Sequence, residues 1–390
     1  MRTLHVIGGL DPGYGGAAVA PIATVLGARQ AGAQNVVVFP APGEEFTWKQ
    51  DLLERFASAG VGVRVFEHSR MFGPWSRRWG ISFILARWMF ANTRRFDLVH
   101  AHGAWTFTTL TALLAAKAAR RPAVLSTHAT LMDFDIAKSS RLGRAVKCAL
   151  RRLYFAAFSL VIVSSELELR DSRPSCKRIS VVPHALPEKP APYPRQTSDQ
   201  RGLRIGYLGR FDPKKNVGLL LEAVAGHPDM FLEIAGTGPE PLVHALRALA
   251  IRLGLTDQVA WRGFVDSSMK STFFADVDVV VMPSEYESFG LAAAEAMSAG
   301  VPVVVPTTAG ITQIVAKYQA GLVIDPTARN LRAALESLRD RALLRDLARG
   351  AVAAACEFDI DRHGARLLQH YNRLARGRGS DVELVPGGSR

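Results

Sequence analysis

The stretch DVDVVVMPSEYESFGLAAAEAMSAGVPVVVP, residues 276–306, contains a complete strand–helix–strand unit. The valine-rich run at its start and the run VPVVVP at its end have the length and β-branched composition of buried strands. The alanine-rich segment between them predicts a helix that stops at Gly300. Strands joined through a helix lie parallel in one sheet, so this unit predicts an α/β fold.

The same alternation of apolar runs and helical segments continues along the chain. Seven strands are predicted in the first half, TLHVIGG, NVVVFP, VGVRVFE, DLVHAHG, AVLSTHA, LVIVSS and RISVVPHA, and six in the second, LRIGYLG, MFLEIAG, QVAWRGF, VDVVVMP, VPVVVP and AGLVID. Helical segments at 17–32, 106–120 and 141–158 lie between strands of the first series, and a proline-rich linker at 187–202 separates the two series. We expect two doubly wound, Rossmann-like domains facing a cleft, with ligands at the carboxyl ends of the strands.

Length and composition describe a globular protein of two domains. The chain has 390 residues, of which 48% are hydrophobic and 21% charged, outside the range of disordered chains. Its cysteines, Cys148, Cys176 and Cys356, form no CxxC pair, which favours a reducing compartment over a disulfide framework or zinc knuckle. No window reaches the roughly 18 apolar residues of a membrane span, and the first apolar run is too short for a signal peptide. We therefore expect a soluble, cytoplasmic protein.

All of the net charge of +13 lies in the first half of the chain. Residues 1–195 hold 26 Lys and Arg against 13 Asp and Glu, whereas residues 196–390 hold 22 of each. Two segments, 69–96 and 137–158, mix cations with aromatic and aliphatic side chains, as amphipathic surface helices do. Anionic lipid headgroups or an anionic acceptor would suit such a face; a solvated basic surface without a partner is the alternative. No nucleic-acid-binding module is recognisable.

Two carboxylates flank the predicted strand-to-helix turn at Ser288–Leu291. Glu287 precedes the helix and Glu295 lies inside it. Eight helical residues rise about 12 Å, so the two carboxylates cannot share one proton or one metal ion, but they can grip two ends of one elongated ligand. The alternative is that Glu287 favours the helix N-terminus electrostatically and Glu295 is merely exposed.

A second pair of charges is predicted at the same edge of the same sheet. Arg210 follows a predicted strand, and Lys215 lies five residues further on, before a helix. Two cations in these positions suit a diphosphate, because Arg can bind two oxygens at once. Cations and carboxylates at one sheet edge favour a ligand site over solvated turns.

These residues resemble a known family, the retaining GT-B glycosyltransferases of family 4, also described as glycosyl transferases group 1. The matching elements are the Glu-x7-Glu motif Glu287–Glu295, GRFDPKKN (209–216), IAGTGPE (234–240), WRGFV (261–265) and CEFDIDRHGARLLQHYNRL (356–374). The resemblance implies an acceptor-binding domain at 1–190 and a nucleotide-sugar donor-binding domain at 200–357. It also implies a closing helix at about 358–375 that packs back on the first domain; residues 376–390 form an expected flexible tail.

The resemblance implies roles for these residues and no metal ion or other cofactor. Glu287 would bind hydroxyls of the donor sugar, Glu295 the ribose, and Arg210 and Lys215 the departing diphosphate. Further donor-binding positions are implied at Gly15, Gly16, Gly236, Val265, Phe289, Gly290 and Leu291. No enzymatic nucleophile is named, because in retaining members the incoming hydroxyl is thought to attack from the face of the leaving group.

The first domain carries weaker signals. A glycine-rich turn at 11–20 also fits a dinucleotide fingerprint, but no acidic residue ends the second predicted strand, which disfavours NAD. His128 ends a strand where the family has a histidine that reaches the donor sugar or phosphate. His100 and His102 alternate on a strand end, but no third ligand follows at a useful spacing, which disfavours a metal site.

Two positions depart from the family pattern. His184 stands where the family usually has Asn in Pro-Asn-Gly, and Gln313 stands where it commonly has Glu. Neither change removes a predicted catalytic group; both bear on sugar selectivity.

The prediction is a retaining hexosyltransferase that moves a sugar from a UDP- or GDP-linked donor to an acceptor hydroxyl. A lipid-linked saccharide in exopolysaccharide or lipopolysaccharide synthesis is the expected acceptor, with the protein peripheral on the inner membrane face. Three alternatives stay open: a nucleotide-sugar epimerase, a non-catalytic nucleotide-sugar binding protein, and a nucleic-acid binder using the basic half.

Overall fold

The computed structural model describes residues 1–9, 16–41, 47–174, 178–187 and 202–377. Gly15, Cys176, most of the predicted linker and residues 378–390 of the predicted tail lie outside the described residues. The chain divides into two compact units, one formed by Met1–Glu188 with Ile360–Arg390 and the other by Lys189–Asp359.

The first unit contains a seven-stranded parallel sheet of order β3-β2-β1-β4-β5-β6-β7. Its strands are β1 (Arg2–Ile7), β2 (Gln34–Ala41), β3 (Gly62–Glu67), β4 (Leu98–His102), β5 (Ala123–Ser126), β6 (Leu160–Val163) and β7 (Ile179–Val181). Its helices are α1 (Gly16–Gln30), α2 (Thr47–Ser58), α3 (Pro74–Trp79), α4 (Phe83–Asn92), α5 (Phe107–Ala118), α6 (Asp133–Ala137), α7 (Arg141–Ala157) and α8 (Glu166–Asp171). Short 3₁₀ turns occupy Arg70–Phe72 and Thr93–Arg95.

The second unit contains a six-stranded parallel sheet of order β10-β9-β8-β11-β12-β13. Its strands are β8 (Leu203–Leu208), β9 (Met230–Ala235), β10 (Val259–Gly263), β11 (Val279–Val281), β12 (Val303–Pro306) and β13 (Gly321–Ile324). Its helices are α9 (Val217–Val224), α10 (Glu240–Arg252), α11 (Lys270–Ala275), α12 (Leu291–Ser298), α13 (Thr312–Tyr318), α14 (Ala328–Ser337) and α15 (Arg341–Ala354), with 3₁₀ turns at Pro213–Lys215 and Ala355–Phe358.

The predicted α/β fold class is confirmed. Each of the thirteen predicted strands is a strand of one of the two parallel sheets. Because parallel strands are covered on both faces, their residues are apolar almost throughout, as in the fully buried β6 and β11. The cores on the sheet faces are accordingly dominated by Val, Leu, Ile and Ala.

The last described helix, α16 (Ile360–Ala375), belongs to the first unit and packs closely against α1. Gly27 and Gly364 meet at the crossing, where a Cβ atom built on Gly364 would lie 1.9 Å from the Gly27 carbonyl oxygen. Leu367 and Tyr371 on the same helix are fully buried. The two backbones can approach this closely only because neither residue has a side chain.

We expect Gly364→Ala to destabilise the first unit, because the added methyl overlaps backbone rather than a side chain that can rotate. Overpacking of this kind costs roughly 1–3 kcal/mol or more, so the urea midpoint of unfolding should fall clearly. Gly218→Ala is the matched control, since it also lies in a helix but its Cβ meets only a Leu249 methyl at 3.4 Å. Equal midpoints for the two variants would contradict the packing argument.

Candidate functional site

In the second unit, a turn between β11 and α12 carries Glu287 and is fixed by backbone hydrogen bonds. The Glu287 N–H donates to the Thr308 carbonyl, and its own carbonyl accepts from the Gly310 N–H at 2.9 Å. Gly290, the residue before α12, has φ of 111°, and a Cβ there would lie 3.0 Å from the Met282 methyl. Both the left-handed backbone and the tight space require glycine at the start of this helix.

The loop after β8 carries Arg210 and Lys215 and is joined to the Glu287 turn. The Asp212 side chain caps the 3₁₀ turn by accepting from the Lys214 N–H at 3.1 Å. The Lys214 carbonyl in turn accepts from the Glu285 N–H at 2.9 Å. The structure thus brings the two predicted charged segments together, although 72 residues separate Lys215 from Glu287.

Each of the two predicted donor-binding carboxylates is paired with a lysine. Lys215 donates to Glu287, and both side chains are largely shielded from water, with 21% and 17% exposed. Lys270, at the start of α11, donates to Glu295 at 2.7 Å. Lys270 could not be identified from the sequence, because it belongs to no motif and is 25 residues away from Glu295 along the chain.

Arg210 is more exposed than Lys215. Its side chain is about half exposed and lies 3.9 Å from the Asp212 carboxylate.

Two other predicted donor-site residues have packing reasons for their identity. A Cβ on Gly236 would lie 1.9 Å from the Gly209 carbonyl oxygen, so the ends of β8 and β9 could not approach each other with a larger residue. Val265 is buried, whereas its neighbour Phe264 is 70% exposed. These contacts explain the residues without a ligand, and their predicted role in donor binding stays a prediction.

In the first unit, His128 follows β5 on an unusual backbone. His128 and Ala129 have φ of 45° and 68°, which is uncommon for residues other than glycine. The buried Glu168 holds this segment: its Oε1 accepts from the Ala129 N–H at 2.6 Å and from the Thr127 hydroxyl, and its Oε2 accepts from the Ser164 N–H at 2.7 Å. Glu168 could not be identified from the sequence, since its partners come from two different strand ends.

His128 belongs to a cluster of buried histidines. His102 Nδ1 lies 3.1 Å from His128 Nε2, and the His184 ring lies 5.3 Å from the His128 ring. Burial is the main cause that lowers the pKa of His128, to about 4. Burial likewise holds the pKa of His184 well below its usual value, so the residue that departs from the family pattern is part of this neutral cluster.

His100 and His102 have a third histidine beside them, contrary to the prediction from their spacing, because β1 supplies His5. His5 is the register partner of His100, and candidate ligand nitrogens of the three residues lie within 4.8 Å of one another. However, the rings of His100 and His102 are stacked, with centroids 4.3 Å apart and planes 24° apart. Lone pairs in nearly parallel planes do not converge on one ion, so these residues do not fit a three-histidine metal site.

Gly16 is the first residue of α1, whereas Gly15 is not described. Gln313, the second departure from the family pattern, is exposed in the first turn of α13.

The basic first unit exposes apolar side chains beside its cations. On α7, Leu142, Val146 and Leu153 are all exposed, and their spacing places them on one face of the helix. Near α3 and α4, Met71, Trp75 and Ile84 are exposed as well. In the part of the chain that the structure describes, no helix is long and apolar enough to cross a membrane.

Comparison with known proteins identifies relatives of both units. A model described as Glycosyltransferase Family 4 matches residues 14–188, and one described as Glycosyl transferases group 1 matches residues 194–351. The chain is 28% identical over 256 residues to the uncharacterized glycosyltransferase YqgM of Bacillus subtilis, covering 63% of this chain and 68% of YqgM. It is 33% identical over 184 residues to a D-inositol 3-phosphate glycosyltransferase of Acidothermus cellulolyticus, which covers 44% of this chain and less than half, 41%, of that enzyme.

Among solved structures, the chain resembles HepE of Anabaena in complex with UDP. The TM-score is 0.76 at 21% sequence identity, over 96% of this chain and 100% of HepE. Likeness at this level of identity shows a shared fold and confirms the GT-B fold class predicted from the sequence.

Proposed function

Because the chain belongs to the glycosyl transferases of group 1 and family 4, and is thus a glycosyltransferase, we propose that it moves a hexose from a UDP-sugar to an acceptor hydroxyl with retention of anomeric configuration. One observation carries the proposal: the loop with Arg210 and Lys215 is bonded to the turn with Glu287, and Glu295 follows in the adjoining helix. The two cations and the two carboxylates therefore lie at the same edge of one sheet. UDP is proposed as the nucleotide because HepE, of the same fold, binds UDP and UDP-glucose.

In this proposal, each of the two lysines is paired with its carboxylate before the donor binds. Lys215 neutralises Glu287, and Lys270 neutralises Glu295, so neither carboxylate repels the incoming diphosphate. Glu287 and the amides of Gly290 and Leu291 bind sugar hydroxyls, and Glu295 binds the ribose. As the bond to the sugar breaks, negative charge grows on the diphosphate, and Arg210 and Lys215 stabilise it.

Ligand-dependent melting tests the donor site. UDP at 100 times its dissociation constant should stabilise the protein by roughly 2.7 kcal/mol, a clear rise in melting temperature. Glu295→Ala should weaken this shift, because the ribose loses its acceptor, whereas GDP, ADP and NAD should give smaller shifts. A response to GDP alone would correct the base, and a response to NAD alone would overturn the proposal.

Product analysis separates the alternatives. Incubating the protein with UDP-glucose and no acceptor should give no change in sugar configuration. Accumulation of the epimeric UDP-sugar would favour an epimerase, and UDP binding without transfer to any saccharide acceptor would favour a non-catalytic binding protein.

We also propose that the first unit binds the surface of an anionic membrane, where it meets a lipid-linked saccharide acceptor. Arg141 and Arg152, which directly precede Leu142 and Leu153 on α7, are exposed like the apolar side chains of this helix. Apolar groups that enter the lipid interface beside cations that contact headgroups are the two features of a peripheral membrane surface. The proposed position on the inner membrane face rests on this surface.

Vesicle sedimentation tests this surface. Replacing Leu142 and Val146 together by Asp should lower binding to vesicles rich in phosphatidylglycerol by about tenfold or more at low salt, because apolar burial is lost and like charge is added. Ile251→Asp, at a residue that is 67% exposed in the second unit, is the matched control and should bind like the wild type. Failure of the wild type to sediment with these vesicles would remove the membrane from the proposal.

A further inference from the structure

A pair of buried aromatic rings lies behind the Glu287 turn of the second unit. The side chain of Phe289, one of the predicted donor-binding positions, meets the ring of Phe358; the two residues are 3% and 0% exposed. Their ring centres are 6.3 Å apart and their planes are 85° apart, which is an edge-to-face pair. Such pairs contribute stability beyond the apolar area that they bury. The Phe289 ring is therefore part of the packing under the turn rather than a surface that a ligand can contact.

The backbone of the same turn is held by the loop between β12 and α13. The Ile311 N–H donates to the Phe289 carbonyl at 2.9 Å. Gly290 follows Phe289 directly, and its φ of 111° lies in the region that favours glycine. Fixing Phe289 therefore fixes the starting point of the Gly290 and Leu291 amides, which are proposed to bind hydroxyls of the donor sugar.

Phe358 is itself held in place by α13. It ends the 3₁₀ turn Ala355–Phe358, which packs against α12. The preceding residue, Glu357, is buried and accepts from the Tyr318 hydroxyl at 2.8 Å and from the Lys317 ammonium at 3.0 Å. Helix α13 thus fixes both members of the ring pair, one through the loop before its first residue and the other through its last turn.

We propose that Phe358 is a positioning residue of the donor site, which acts through the Phe289 ring to keep the amides at the start of α12 aligned for the donor sugar. A turn that already has its binding conformation spares the ligand the cost of ordering it. Binding of the ribose depends less on Phe358, because Glu295 lies inside α12 and is held by Lys270. The assignment to the sugar rests on the proposed function; the support of the turn by Phe358 does not.

The alternative is that Phe358 is an ordinary core residue, since a large buried ring stabilises any domain. An ordinary core residue affects the whole unit, so its loss should weaken the binding of every ligand alike and speed the exchange of all core amides. A positioning residue affects the turn, so its loss should be confined to the amides that hold the turn and to the sugar of the donor. The two roles are therefore separable by measurement.

Amide hydrogen exchange, followed by NMR, tests the support of the turn without any ligand. It compares the Ile311 N–H, which bonds to the turn, with the Val280 N–H, which bonds to the Pro302 carbonyl inside the sheet. In Phe358→Leu, we expect Ile311 to exchange about tenfold faster relative to Val280. Leu335→Ala, at a fully buried position on α14, is the matched control and should leave this ratio unchanged. An unchanged ratio in Phe358→Leu would overturn the proposal.

Titration calorimetry with UDP and with UDP-glucose tests the consequence for the donor. Phe358→Leu should weaken the binding of UDP-glucose roughly three- to tenfold and that of UDP less than about twofold, because UDP carries no sugar. Leu335→Ala should bind both ligands as the wild type does. An equal loss of affinity for both ligands in Phe358→Leu would show a general structural role and overturn the assignment to the sugar.

Tyr318→Phe is the second variant, for use if Phe358→Leu does not fold. It removes the hydroxyl that donates to Glu357 and leaves the ring pair itself unchanged. The same pattern is expected with a smaller size, about two- to threefold weaker binding of UDP-glucose. Wild-type exchange and wild-type affinity in Tyr318→Phe would then overturn the proposal. If the wild type binds neither UDP nor UDP-glucose, but the exchange ratio changes as expected, the proposed function fails and the support of the turn by Phe358 stands.

Discussion

Replacing Lys215 by Met should lower kcat for sugar transfer by about 10²–10³-fold. Removal of one well-placed donor from a site where charge develops has an effect of this size in other enzymes. Lys215 is expected to act most strongly in the transition state, when the diphosphate gains charge, so the loss should appear in kcat more than in KM. Initial rates with UDP-glucose, over a range of donor concentrations, measure both.

Lys270→Met is the matched control, because it also leaves a shielded glutamate without its lysine. Glu295 is proposed to bind the ribose, far from the bond that breaks, so this variant should raise the KM for the donor and change kcat little. If both variants lower kcat equally, the loss reflects a general disturbance of the site and not the charge of Lys215. Melting temperatures of the two variants without ligand show how much of each effect is loss of stability.

Acidification should unfold the first unit between about pH 6.5 and 5. Six buried histidines have a pKa below the value of about 6.5 in an unfolded chain: His5, His100, His102, His128, His184 and His363. A histidine that binds a proton more weakly in the folded protein than in the unfolded chain contributes stability to the folded state. This stability is fully present at pH values above the pKa of the histidine in the unfolded chain. That stability is lost as the pH falls from there toward the folded pKa.

The size of the effect follows from the number of histidines. Each loses about 1 kcal/mol of stability between pH 6.5 and 5.5, because an unfolded histidine is already half protonated at pH 6.5, so six of them lose roughly 6 kcal/mol over this range. This is comparable to the whole stability of a typical domain. Urea unfolding at pH 7.5, 6.5 and 5.5, followed by circular dichroism, should show a steep fall of the unfolding free energy.

His184→Asn gives the control, since it restores the residue usual in the family and removes one histidine from the cluster. The dependence of stability on pH should become shallower by about one sixth. A free energy of unfolding that is flat between pH 7.5 and 5.5 would contradict the neutral state of the cluster.

The strands and the motif residues could be predicted from the sequence, but the side chains that contact the motif residues could not. The valine-rich runs identify β6, β11 and β12 because a buried parallel strand must be apolar on both faces. The pairing of Lys215 with Glu287 was not predicted, although both residues were identified, because their contact depends on how two loops at one sheet edge fold. Local patterns do not contain that information.

Residues that act across strands were missed for the same reason. His5 lies beside His100 through the register of β1 and β4, and that register is not visible in either strand alone. The predicted roles of the site residues therefore depend on contacts that became visible only in the folded chain.

The close contact of Gly27 with Gly364 also has a consequence for synthesis. The first unit needs α16, but the 171 residues Lys189–Asp359 are translated between its two segments. At ribosomal rates of roughly 5–20 residues per second, the amino-terminal segment waits about 10–30 s for its last helix. During that time the face of α1 that will receive Gly364 is uncovered, while the second unit, encoded without interruption, has all its residues before the first is complete.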